Sequence, residues 1–248
     1  MNKLPISVCM LVKDEEDRLV KSLPPLSIFK EVLVYDSGST DGSIELCKKY
    51  DAQIIHGSWH GFAETRKKLF SQANQPWIFW LDADEVITPE LLEELRTVFD
   101  ENIEVSGFEV NRMVFFEGKW IRHGDWFPDW NLRLFRANSW EIENREVHES
   151  VKVSGQTSRL SGLLEHHSYR NWQDRELRID RYSTLWAEMK CREGKKAHLG
   201  EALTRSLWRF LRAYILKLGF LDGAIGFRIA ISTANEVYIK YLKLGSLK

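Results

Sequence analysis

Four short apolar runs, residues 6–12, 32–35, 52–55 and 77–81, each lead into a stretch of helical length, and this alternation constrains the fold more than any other feature. Runs so short and so continuously apolar read as strands buried on both faces, which requires helices on either side of a mostly parallel sheet. Segments 15–23, 43–50 and 62–72 supply the connecting helices, the first stopped by Pro24 and Pro25. A fourth helix is signalled by Thr88 as N-cap, Pro89 at the first helical position and Glu90 in the first turn. The expected class is α/β, and in such sheets ligands bind outside the carboxyl ends of the strands.

The last run, WIFWL, stops on Asp82, Asp84 and Glu85. Burying an ionised carboxylate without a partner costs several kcal/mol, so these groups must meet water, a cation or a ligand. Residues two apart on a strand share a face, which lets Asp82 and Asp84 converge just past the sheet edge. Hard oxygen donors of this kind suit Mg²⁺ or Mn²⁺, although a solvated loop with a helix-capping acid has the same spacing. YDSGSTDGS, residues 35–43, ends the second strand with small residues that let the backbone and Asp36 approach a flat ligand, while Ser39, Thr40 or Asp41 suits a helix cap. Because KDEED ends the first run in the same way, three acidic strand ends line one rim.

The ordered set LVKDEE, VLVYDSGSTDGS, WHGFAETRKK and WIFWLDADEVITPEL resembles the inverting family 2 glycosyltransferases of GT-A fold, and within them is most similar to the lipopolysaccharide core β-1,4-glucosyltransferases. The resemblance covers residues 4–100, and more loosely GDWFPDWNLRLFR, REVHE and FLRAYILKLGFLDGAIGF. It implies a Rossmann-like, nucleotide-sugar-binding and catalytic domain over 1–165 and a helical extension over 166–248. It also implies a UDP-sugar donor beside Val12, Glu15, Asp36, Arg66, Asp82 and Ala83, and a divalent metal, Mg²⁺ or Mn²⁺, on Asp84 with Asp82. Ser37 stands where many relatives have a second Asp. In an inverting transfer the acceptor hydroxyl attacks the anomeric carbon as the nucleoside diphosphate leaves, and a carboxylate takes its proton. Two residues compete for that role: Glu149 in REVHE, which is preferred, and Asp129 in the aromatic WFPDW. His148 reads as structural as readily as catalytic, and His166 or His167 would complete the metal shell or touch the acceptor.

Overall composition is that of a soluble globular protein, with 44% hydrophobic and 29% charged residues and a net charge of −1. That balance hides an asymmetry: residues 166–248 carry 16 Lys/Arg and 8 Asp/Glu, a net of +8, which leaves −9 for residues 1–165. Placed on a helix, residues 203–218 put Arg205, Arg209 and Arg212 on one narrow face, with Leu207, Trp208, Phe210, Leu211, Tyr214, Ile215 and Leu218 on the other. Such a helix either lies in a membrane interface beside anionic lipid or packs its apolar face on the domain. With three widely spaced cysteines and no run long enough to span a bilayer, the chain is expected to be cytoplasmic and peripheral on the cytosolic face of the inner membrane. The acceptor implied is a lipid-linked oligosaccharide, with no nucleic-acid partner. Two other readings are a non-catalytic sugar- or lipid-binding module on the same fold and a sugar nucleotidyltransferase. The latter would open with a glycine-rich loop after the first strand, and LVKDEE has no such glycine.

Overall fold

A computed structural model describes residues 2–101, 103–143 and 150–247. The elements run β1 (Leu4–Val12), α1 (Glu16–Ser22), β2 (Phe29–Asp36), α2 (Ser43–Lys49), β3 (Gln53–His56), α3 (Phe62–Phe70), β4 (Trp77–Trp80), β5 (Glu85–Ile87) and α4 (Pro89–Asp100). They continue with β6 (Gly107–Phe116), β7 (Lys119–Trp120), β8 (Asp129–Arg136), β9 (Trp140–Glu143), β10 (Ser150–Val153), β11 (Thr157–His166), α5 (Trp172–Arg192), α6 (Leu199–Leu211) and α7 (Gly223–Ser246). The chain divides into two compact units, one of residues 1–112 with 129–167, the other of 113–128 with 168–248.

In the first unit the sheet order is β3-β2-β1-β4-β8-β6-β11-β5. β1 pairs in parallel with β2 and β4, and β2 with β3; β8 then runs antiparallel to β4 and β6, and β11 antiparallel to β5. The apolar runs are continuous because the sheet is covered on both sides. Ile6, Val8 and Met10 of β1 pack with Leu19 of α1, Cys47 of α2 and Leu91 of α4. The alternate residue Cys9 joins Leu33, Ile78, Leu69 and Phe70 on the opposite face, beneath α3 and the β9–β10 hairpin. As its sequence indicates, α4 starts at Pro89, with the Thr88 hydroxyl accepting from the Leu91 N–H at 3.2 Å.

β11 carries a weak strand signal in the sequence. Its buried positions Leu160, Gly162 and Leu164 alternate in a strand period, but one of the three is a glycine that adds no hydrophobic signal. That glycine is required by contact: a Cβ there would lie 2.5 Å from the Leu91 Cα.

The second unit has a core of Val114, Phe116, Ile121, Ile225 and Ile229, joined by Trp126, Tyr169 and Trp172. The expected helix over 203–218 does not run through. α6 begins at Leu199, loosens into a π turn over Arg212–Leu216, and stops where Leu218 adopts a left-handed φ of 57°. The stop lets α7 fold back at close range, since a Cβ on Gly226 would lie 2.0 Å from the Gly219 carbonyl oxygen.

Nor is the expected arginine face free. Arg209, Arg212 and Lys217 approach the Asp125 carboxylate at 2.8, 3.5 and 3.1 Å, and the Asp125 side chain is only 3% exposed. Arg205 pairs with Glu201 at 2.7 Å. Among the described residues no helix is long and apolar enough to cross a membrane.

Candidate active site

At the carboxyl ends of the parallel strands, register sets the rim: Val12 lies beside Asp36, and Asp36 beside His56. The acids that follow β1 and end β2 lace two loops together. Thr40 N–H donates to Asp14 at 2.7 Å and Gly42 N–H to Glu16 at 3.1 Å; in return Glu16 N–H donates to Asp41 at 3.1 Å and Glu15 N–H to the Ser43 hydroxyl at 2.9 Å. Asp36 accepts from the N–H groups of Gly38 and Ser39 at 3.2 and 3.0 Å and faces His56 Nδ1 at 3.2 Å. Burial pushes its carboxyl up, but the donors from Ser39, His56 and Gly38 outweigh that and hold it below the usual carboxylate range. These acids therefore shape the rim as turn and cap residues, and Asp36 carries its charge there. The Glu15 carboxylate is held by Arg18 at 3.0 and 2.9 Å. The side chains of Val12 and Ala83 lie in the core.

The acids after β4 meet cations. Asp82 accepts from Arg66 at 2.9 Å and Trp80 Nε1 at 3.1 Å on one oxygen, and from Arg133 at 3.0 Å on the other. Both guanidiniums lie over the Trp80 ring, 4.3 Å and 4.5 Å from its centroid. Burial raises the Asp82 carboxyl, yet Arg133, Arg66 and the indole N–H overcome it and keep the group ionised far below its ordinary range. Glu85, fully buried, accepts from Arg133 and, at 3.1 Å, from Arg112, and its second oxygen accepts from the Asp82 N–H at 3.0 Å. Arg112 reaches onward to Asp129 at 2.9 Å through Nε and 2.6 Å through a terminal nitrogen. Three arginines and three acids thus alternate from α3 to β8 with no net charge.

Arg112 and Arg133 did not emerge from the sequence. Their signal was present in NRMVF and LRLFR, where a lone arginine interrupts an apolar strand and needs a buried anion. Because Arg133 is 2% exposed and bridges two acids, Arg133→Met should destabilise the fold by about 3–5 kcal/mol in denaturant titrations. A loss under about 1 kcal/mol would show that Asp82 and Glu85 do not depend on it.

Asp84 stands apart from that network. Its side chain is 15% exposed, and one oxygen lies 3.6 Å from His166 Nε2 and 3.8 Å from Arg18. Burial raises its carboxyl, but His166 and Arg18 prevail and lower it. The β11–β5 pairing, His166 opposite Glu85, brings the histidine there, while the adjacent His167 side chain lies 3.6 Å from Glu165. Among the described residues no group of three or more His, Cys, Asp and Glu stands ready to hold an ion. The donor set nevertheless fits Mg²⁺ or Mn²⁺: Asp84 offers a carboxylate and His166 an imidazole, leaving further positions for diphosphate oxygens and water. Asp82, the other acid expected at the ion, has side-chain donors on both oxygens.

Of the candidate bases, Asp129 opens β8 with its carboxylate shared between Arg112 and, at 2.9 Å, Asn131. Glu149 and His148 lie outside the described residues.

Residues 7–152, more than half of the chain, match glycosyl transferase family 2, and the protein belongs to that family, with the GT-A α/β fold expected from its motifs. It is therefore a transferase. The lipopolysaccharide core biosynthesis glycosyltransferase LpsC of Rhizobium meliloti is 28% identical over 253 residues, covering 96% of this chain and 94% of the relative. An uncharacterized glycosyltransferase of Rickettsia typhi is 25% identical, covering 98% and 87%. Among solved structures, S. aureus TarS 1–349 in complex with UDP aligns with a TM-score of 0.49 at 14% identity, over 99% of this chain and 90% of that one.

Proposed function

We propose that this chain is an inverting hexosyltransferase that moves glucose from UDP-glucose onto a lipid-linked acceptor, the lipopolysaccharide inner core, working peripherally at the cytosolic face of the inner membrane. The observation that carries the reading is the facing pair Asp84 and His166, placed past β4 beside an Asp82 that two arginines hold ionised. The acceptor class is supported by the near full-length similarity to LpsC, a lipopolysaccharide core biosynthesis enzyme.

In this reading Asp36 and the laced loops at residues 12–16 and 36–43 receive the nucleoside, and Asp84 with His166 would hold a divalent ion against the diphosphate. Such an ion supplies Lewis-acid stabilisation of the charge that develops on the leaving phosphate. Arg66 and Arg133 fix Asp82 so that it points to the sugar and ribose side of the site without rearrangement. Glu149 is assigned as the base that accepts the proton of the attacking hydroxyl, a role typically worth about 10²–10⁴ in rate.

The test is a donor screen: purified protein, a set of UDP-sugars, Mg²⁺ or Mn²⁺ and detergent-dispersed core lipid, with products identified by mass spectrometry. A single hexose added from UDP-glucose is expected. Nucleotide-sugar binding without transfer from any donor would replace the enzyme with a binding module.

A further inference from the structure

The helical unit carries its amphipathic helix with the apolar side outward. Arg209 of α6 and Arg212 just beyond it turn to the buried Asp125, while Leu203, Leu207 and Trp208 of α6 are 53%, 60% and 58% exposed in the full chain. A soluble helix has the opposite arrangement, because solvating several large apolar side chains side by side forfeits the main driving force of folding. Part of the predicted apolar face does pack: Phe210 and Tyr214 meet Phe227 of α7 at 6.0 and 5.4 Å between ring centroids. The exposed part holds Leu207, Trp208, Ile215 and Leu218, and nearby in the chain Leu216 and Leu221 are 63% and 56% exposed as well. Beside Leu203 and Leu207 it opens into a groove of ≈ 550 Å³ between α6 and α7, whose far wall includes Ile231 and Tyr238.

We propose that this face is a seat for the bilayer interface, with Leu203, Leu207, Trp208, Ile215, Leu216 and Ile231 entering the acyl boundary. This deepens the functional reading above and rests on it for the acceptor's lipid. Charge selects a lipid surface over other apolar partners. Arg205, Arg209, Arg212 and Lys217 lie beside the patch with Glu201 and Asp125 as their ion-pair partners, an excess of two positive charges among these six groups. The cation side chains keep 34–56% of their surface in water, where phosphate headgroups would lie. Trp208, exposed among leucines and next to this basic border, is the residue type that settles at headgroup depth. The open groove fits a flexible acyl chain better than a rigid protein ridge. Because Asp125 already offsets part of their charge, the arginines add modest electrostatic attraction, whereas apolar insertion carries most of the affinity.

Flotation of the purified full chain with vesicles of phosphatidylglycerol and phosphatidylcholine tests this, alongside pure phosphatidylcholine vesicles and UDP-glucose binding in vesicle-free solution. Wild type is expected to float with the mixed vesicles, to float less with pure phosphatidylcholine, and to remain partly bound in 0.5 M salt, about where surface charge is screened within a few ångströms. Leu207→Glu/Trp208→Glu, at two exposed positions, should lower partitioning by about tenfold or more with nucleotide binding unchanged. Equal flotation of this variant, or no flotation of wild type, overturns the seat. So does a wild-type dimer that the same variant dissociates, because a second copy would then cover the face. Loss of UDP-glucose binding or turnover with flotation intact would instead remove the functional reading and leave the seat standing.

Discussion

Asp84→Ala is expected to lower sugar transfer by about 10³-fold or more while changing stability by under about 1 kcal/mol. The two effects separate because Asp84 does little structural work. Its nearest basic side chains, His166 and Arg18, sit at 3.6 and 3.8 Å, and its backbone contributions, including the carbonyl that accepts the His167 N–H at 2.8 Å, survive substitution. What alanine removes, of the three acids that follow β4, is the carboxylate that arginine donors do not hold at hydrogen-bond distance, whereas Asp82 and Glu85 are both so held. Asp82→Asn should behave differently. Losing that charge leaves Arg66 and Arg133 stacked on Trp80 with a weakened acceptor, so about 1–3 kcal/mol of stability goes together with activity. Calorimetric titration with Mn²⁺ and UDP reads the first claim directly: the ion's enhancement of UDP binding should vanish in Asp84→Ala and weaken in His166→Ala. If turnover withstands both chelation and Asp84→Ala, the ion has no place at this rim and the assignment of Asp84 fails.

The parts of this site that could be read from sequence are those set by local chemistry. Short apolar runs ending in acids gave β1, β2 and β4 and located the rim, since both the strand period and the helix caps at Thr88 and Pro89 act within a few residues. The arginines were hidden because their partners are distant in the chain. Arg133 meets Asp82 51 positions away, and Arg112 meets Glu85 across 27, through a register that only the folded sheet defines. His166 and His167 are both legible as candidates, but that His166 is the one set 3.6 Å from Asp84 follows from the antiparallel β11–β5 pairing. In the tail, helical periodicity separates the arginines from the apolar residues, but it does not show that Phe210 and Tyr214 pack inward while Leu207 and Trp208 stay exposed. That Arg209 and Arg212 meet an anion depends on Asp125, more than 80 residues upstream of Arg209, and no helical wheel contains it.

Glu149→Gln is expected to lower turnover by about 10²–10⁴-fold while leaving UDP-sugar affinity unchanged, because a base acts on the acceptor's proton and not on the donor. Its rival is constrained by its partners. Both Asp129 oxygens already receive donors, Oδ2 from two Arg112 nitrogens and Oδ1 from the Asn131 amide, and Asn111 accepts the Asp129 N–H at 2.8 Å. A carboxylate fixed in this way at the first residue of β8 is tied through Arg112 to the buried Glu85, and taking a proton would weaken its hold on that guanidinium. Asp129→Asn should therefore cost about 1–3 kcal/mol of stability and raise the KM for acceptor more than it lowers kcat. The pH dependence of kcat separates the candidates, since the ascending limb belongs to whichever carboxylate takes the proton. It should disappear in Glu149→Gln and persist in Asp129→Asn. The opposite outcome, with the limb lost only in Asp129→Asn, would make Asp129 the base and require Arg112 to move aside when acceptor binds.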